Sequence, residues 1–258
     1  MTALTSAVES TNGRHLNGIK DLANGHTPTA EAIAQQEFSH LTLYTGNTMR
    51  TGTTGMTNSQ LQKSNQELLS ALEDTLLHSM NTAHVKGNAI TIRDETSVGS
   101  LEEERSKYEI TAKLFYLPSS TDEPLSVQVI DVAIQDVNTV LGTSKIDHFI
   151  LSLPKQVFDE NGTDEEELRE FDEELERSVL PVWSHLSALR QSGQIGRLGV
   201  AEFSKQQLEL LRAKAIAMGG AAPEINQVNL ADCCVLPKDL VEYAKQEGIE
   251  LLTHGDAH

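Results

Sequence analysis

Five short apolar runs, spaced by four segments of helical periodicity, dominate the chain between residues 108 and 254. YEITAKLFYL (108–117) alternates and then turns apolar, as a buried strand does. LSVQVIDVAIQDVNTVL (125–141) has a helical repeat and stops at Gly142, a natural C-terminal cap. IDHFILSLP (146–154) is an almost unbroken apolar strand closed by proline. An acidic helix follows, with Thr163 and Glu166 at capping-box spacing and an expected break near Pro181. Strand 198–203, helix 204–217, strand 224–230, helix 237–248 and strand 249–254 complete the series. Strands alternating with helices over short connections imply a parallel sheet with helices outside. A closed barrel and an open doubly wound sheet both satisfy that pattern.

The first part of the chain is less ordered in pattern. Residues 1–37 are rich in Ser, Thr, Asn, Gly and Ala, offer little apolar surface to offset chain ordering, and are expected to be a disordered arm. HLTLYTGN (40–47) alternates as a short strand, 48–58 reads as a loop, and 58–78 reads as a helix. That helix sets Leu61, Leu68, Leu69, Leu72, Leu76 and Leu77 on one stripe. One domain is expected over 38–258.

Composition narrows the function classes. Aromatics are only 4% of the 258 residues, and the net charge of −18 repels nucleic acid and anionic membranes. No run approaches the ~20 apolar residues of a membrane helix. The N-terminus lacks the basic start and apolar run of a signal peptide. The only cysteines, Cys233 and Cys234, are adjacent, which is not a secreted disulfide framework. A cytoplasmic protein is expected.

The order and wording from Lys113 onward resemble the aldo-keto reductases, whose fold is a (β/α)8 TIM barrel. TAKLF is similar to the strand carrying that family's lysine, which falls at Lys113, and IDHFILSLP to the strand that ordinarily ends in His-Trp-Pro. WSHLSALRQSGQIGRLGVAEFSKQQLELL (183–211) and INQVNLADCCVLPKDLVEYAKQEGIELLTH (225–254) resemble the segments that follow. The resemblance implies a barrel that appears truncated, since IELLTH takes the place of the seventh strand. It also implies a site of tyrosine acid, lysine, histidine and aspartate for carbonyl reduction.

This chain departs from that site. Ser152 stands at the histidine position. NTAHVKGN (81–88) is either a counterpart of the tyrosine-bearing string, with Asn81 for the aspartate and Lys86 for the tyrosine, or a chance match. On both readings no suitable tyrosine precedes Lys113. Ala201 and Glu202 occupy the place of the Ser-Asn pair that holds the nicotinamide amide, and Gln227 alone matches. The phosphate-binding segments follow the seventh strand, close to where this chain stops.

NQVNLADCCVLP, LLTH, AKLF and TGN are closer still to one branch of the superfamily, the regulatory (modifier) subunits of glutamate–cysteine ligase. That resemblance implies a non-catalytic chain with no cofactor. Its partner would be the ligase's catalytic subunit, in a heterodimer that serves glutathione biosynthesis. A divergent NADP(H)-dependent reductase is the alternative.

Several residues admit a bland reading beside a sharp one. Cys233 and Cys234 read first as small buried residues under a loop, and second as redox-responsive or partner-contacting thiols. His254 reads first as a packing or hydrogen-bonding residue and second as a partner-contact or redox candidate facing the old substrate pocket; no ligand spacing makes it a metal residue. Lys113 reads as a relic whose charge pairs with a carboxylate. Residues 159–177 hold eleven acidic side chains against two arginines. They read as an exposed helix face, with a docking surface as the alternative.

Overall fold

In the computed structural model, residues 5–9, 38–45, 64–93, 101–118, 123–159, 162–230 and 235–255 are described. The chain divides into two compact units, Met1–Val98 and Gly99–His258. Residues 38–258, expected as one domain, are thus shared between them.

In the first unit, β1 (Thr5–Glu9) pairs antiparallel with β2 (His40–Tyr44). Of the expected disordered arm, this strand is the described part, and the rest of 1–37 lies outside the described residues. Helix α1 (Ser64–Ser79) leads to β3 (His84–Lys86) and β4 (Ala89–Arg93), and β2 runs parallel to β4. Lys86 faces Ala89, so Gly87 and Asn88 form a two-residue hairpin turn, with Gly87 at φ +63°. Glycine at the first of the two turn positions favours a type II′ turn, which needs a left-handed backbone there and not at Asn88. NTAHVKGN is therefore largely a β-hairpin arm. Leu43, Ala83, Ile90 and Ile92 form the core, with Leu72 and Leu76 packed against it. The expected leucine stripe is narrower than the sequence suggested, since Leu69 and Leu77 are exposed. Leu77 sits about 100° around the helix from Leu76 and so turns off the sheet. Leu61 and the expected loop lie outside the described residues.

The second unit is a row of five parallel strands in chain order: β5 (Thr111–Phe115), β6 (Ile146–Ser152), β7 (Ile195–Ala201), β8 (Ile225–Asn229) and β9 (Glu250–His254). Helices α2 (Val127–Leu141), α3 (Glu165–Glu174), α4 (Leu180–Gln191), α5 (Lys205–Ala217) and α6 (Lys238–Glu247) connect them. Strand residues alternate between faces. Phe149, Leu151, Leu198 and Val200 join the helices in one large core, which includes Ile130, Trp183, Leu186 and Leu208. The intervening Ile150, Ala201 and Ile225 form a separate cluster with Leu252, on the opposite face. Gly199 shares that face because a Cβ there would come within 2.7 Å of the Ile225 Cβ.

Local signals explain the connections. Gly142, at φ +63°, ends α2 as expected. The capping box of α3 lies one residue later than the sequence spacing suggested. Asp164 is the N-cap and Glu167 its partner, while the Thr163 hydroxyl is engaged with Ser204 Oγ at 2.6 Å. The expected break near Pro181 is a π-helical turn, Leu175–Val179, leading directly into α4 with Pro181 in its first turn. Proline donates no backbone hydrogen bond, and the wider turn absorbs that loss.

At the N-terminal end of the strands, charges tie the row together. Arg105 bonds Asp147 at 2.5 Å, and Arg190 grips Glu224 through two hydrogen bonds of 2.7 and 2.9 Å. Arg197 pairs with Glu250 and donates to the Glu224 carbonyl at 3.0 Å.

Candidate functional site

Parallel strands send all their C-terminal ends, and the loops that follow, to one side, where α/β sites form. Here that side carries Phe115, Ser152, Ala201, Asn229 and His254 as the last residues of β5 to β9. The register sets Phe115 beside Ser152, Ala201 beside Gln227, and Asn229 beside His254.

Glu202, immediately after β7, is the centre of this end. It has a left-handed backbone, φ +65°, unusual for a residue with a side chain. Four contacts hold it there. Its N–H donates to the Gln227 carbonyl at 2.8 Å and its carbonyl accepts from Gln156 Nε2 at 2.8 Å. Oε2 of its buried carboxylate accepts the Asn229 N–H at 2.9 Å. Oε1 lies 2.8 Å from His254 Nε2. The next turn is held as firmly. Asn226, fully buried, accepts from the Phe203 N–H and donates to the Phe203 carbonyl. Gln207 closes a capping box on Ser204 and accepts a second hydrogen bond from Gln156.

The residues singled out from the sequence divide as follows. Glu202 and His254 meet directly. Ala201 is buried between Ile150 and Ile225, and Ser152 is buried at the end of β6. Gln227 enters through its backbone carbonyl. Lys113 lies partway along β5 with its Nζ 4.6 Å from the centre of the Phe115 ring, a cation–π contact. Cys233 and Cys234 lie outside the described residues. Lys86 is exposed on β3 of the other unit. Gln156, Asn226 and Asn229 were not anticipated, because each works through a backbone group whose position no residue pattern encodes, whereas Gln207 was missed although it stands at capping-box spacing from Ser204.

Among the described residues no three His, Cys, Asp or Glu side chains gather as a metal site, and no helix is long and apolar enough to cross a membrane. A depression of about 380 Å³ lies along α2 and the end of α4, lined by Ile134, Gln135, Asn138 and Leu189 among others. It contains none of the residues discussed above.

The model of the aldo/keto reductase family matches residues 50–255. The chain belongs to that family. A Schizosaccharomyces pombe protein provisionally named a glutamate–cysteine ligase regulatory subunit is 27% identical over 235 residues, 87% of this chain and 80% of that protein. The human glutamate–cysteine ligase regulatory subunit is 35% identical over 154 residues, covering 60% of this chain and 48% of its own. The bovine one is 36% identical over the same length. The chain thus spans about half the length of the mammalian relatives it matches. A crystal structure of an aldo/keto reductase from Brucella melitensis is similar at a TM-score of 0.39 and 18% identity, over 60% of this chain and 49% of that one.

Proposed function

We propose that this chain is a non-catalytic regulatory subunit, cytoplasmic, that binds the catalytic subunit of glutamate–cysteine ligase as a heterodimer and raises its activity in glutathione biosynthesis. The observation that carries the reading is its similarity, at 27–36% identity, to relatives named as regulatory subunits of that ligase.

The site geometry supports it. A bound nicotinamide would need a polar pair at positions 201 and 202 with hydrogen-bonding capacity to spare. Ala201 has no polar side-chain atom, and both carboxylate oxygens of Glu202 are committed to Asn229 and His254. These residues do not fit the group. Ser152, at the place where the resemblance puts a histidine, offers no imidazole for tuning an acid. Lys113 is accordingly a relic, and its ammonium serves packing over Phe115.

The test is direct. The purified chain added to the catalytic subunit is expected to form a stoichiometric complex and lower the glutamate concentration needed for half-maximal rate. Absence of complex, or a complex with unaltered kinetics, would refute the proposal. A second reading, a divergent NADP(H)-dependent reductase, draws on the family match itself. It requires saturable quenching of NADPH fluorescence and carbonyl turnover that disappears in Lys113→Ala.

A further inference from the structure

The second unit leaves several large apolar side chains exposed, and half of them stand at one end. Phe115 ends β5 and Leu117 (55% exposed) follows it, Val157 (58%) follows β6, and Val235 (73%) follows β8. All four occupy the C-terminal end of the parallel strands. The others are dispersed, with Val132 on α2, Ile216 and Met218 at the end of α5, and Val241 on α6. Exposed apolar side chains that share one end of a unit mark contact with something else.

The polar groups at the same end are turned on one another. Glu202 is bound to His254 and the Asn229 amide, Gln156 to Glu202 and Gln207, and Thr163 to Ser204. Among the described residues, these polar groups are engaged with one another, whereas the four apolar side chains stand exposed.

Charge selects the occupant. Helix α3 begins at this end, and its exposed Glu165 and Glu166 lie in the first turn. Further along, some of the acidic residues are paired within the chain, Asp172 and Glu176 with Lys214 and Glu174 with Arg177. Lys155, Lys205 and Lys238 are the basic side chains of the adjoining loop and helix starts, with Lys205 paired to Glu209, against Asp159, Asp164, Glu165, Glu166 and Asp239. The balance is acidic. A second copy, itself carrying a net charge of −18, would bring like charges together.

We propose that this end docks a partner protein that presents basic side chains around an apolar anchor. The partner's name rests on the regulatory-subunit reading, whereas the surface does not.

Association of the full chain with the ligase catalytic subunit, measured at low and high salt, tests both parts. The triple variant L117S/V157S/V235S is expected to bind about tenfold or more weakly, as loss of central apolar anchors does. V132S/I216S, equally exposed elsewhere, should stay within about twofold of the parent. E165K/E166K should slow association at low salt and match the parent at high salt. Equal losses in the triple variant and V132S/I216S, or none in the triple variant, would overturn the proposal. Circular dichroism and melting establish that each variant folds, and L117S alone replaces a triple variant that does not.

Failure of the parent chain to bind the catalytic subunit refutes the partner's name, and the surface is then judged separately. A Leu/Lys amphipathic peptide is added to the full chain and hydrogen exchange is recorded. Protection at residues 115–118, 156–159 and 235–237 supports the surface, and protection elsewhere or nowhere overturns it. Binding of the chain to neutral phosphatidylcholine vesicles through these loops would make the occupant a bilayer, which also overturns it.

Discussion

Glu202 keeps a backbone conformation that costs a side-chain-bearing residue about 1 kcal/mol or more, and its contacts hold it there. Removing the carboxylate leaves the buried Asn229 amide without its acceptor. Glu202→Ala is expected to lower unfolding stability by about 2–3 kcal/mol in urea. Glu202→Gly loses the same contacts but relieves the positive φ, and should be less damaging than Ala by about 1 kcal/mol. A Gly variant no better than Ala would mean the conformation carries no strain. Gly199 gives a contrasting case. Any side chain there meets Ile225 in the sheet, so Gly199→Ala should cost about 1–3 kcal/mol. Glu202 was visible in the sequence as a departure from a family position. Its pairing with His254 was not, because 52 residues separate them and only the register of β7, β8 and β9 brings them together.

The elements were largely legible, since each strand and helix of the second unit has its own period and its own stop. Gly142 and the apolar run at 146–152 needed no tertiary context to read. Where frames compete, context decides. Both Thr163 with Glu166 and Asp164 with Glu167 have capping-box spacing, and α3 uses the second because the Thr163 hydroxyl is held by Ser204. Asp164→Ala should therefore lower stability by about 1 kcal/mol, whereas the Thr163→Val change removes no cap and should be milder. Paired thermal melts compare the two. Trp183 of α4 is fully buried, with its Nε1 donating to the Ala221 carbonyl at 2.7 Å. Its replacement by Ala should cost about 3–5 kcal/mol, the largest loss among these variants.

At the scale of the whole molecule, acid should unfold the chain partly through the N-terminal ends of its strands. The hydrogen bond and charge of Arg190 hold the Glu224 carboxyl below its usual range. Burial pushes the Asp147 carboxyl up, but the Ile110 amide and Arg105 outweigh it, and the net direction is down. A carboxyl depressed in the folded state adds stability above its unfolded pKa, and that stability is lost as pH falls through the lowered folded value. Both pairs are partly exposed, so each contributes at most about 1 kcal/mol. Urea midpoints should therefore fall below about pH 4, and Arg190→Ala should flatten that decline. A parent and variant with the same acid profile would assign the acid response to other carboxylates.

Because each strand from β6 to β9 lies beside the one synthesised just before it, a ribosome can deliver this row in assembly order. Every new strand–helix pair finds its neighbour already made, so no strand must wait exposed for a distant partner. The loops between strands are short in span, and the entropy of closing each is correspondingly small. Slowing translation is thus expected to leave the folding yield of this unit unchanged, whereas reordering its strands by circular permutation would create a waiting edge and lower it.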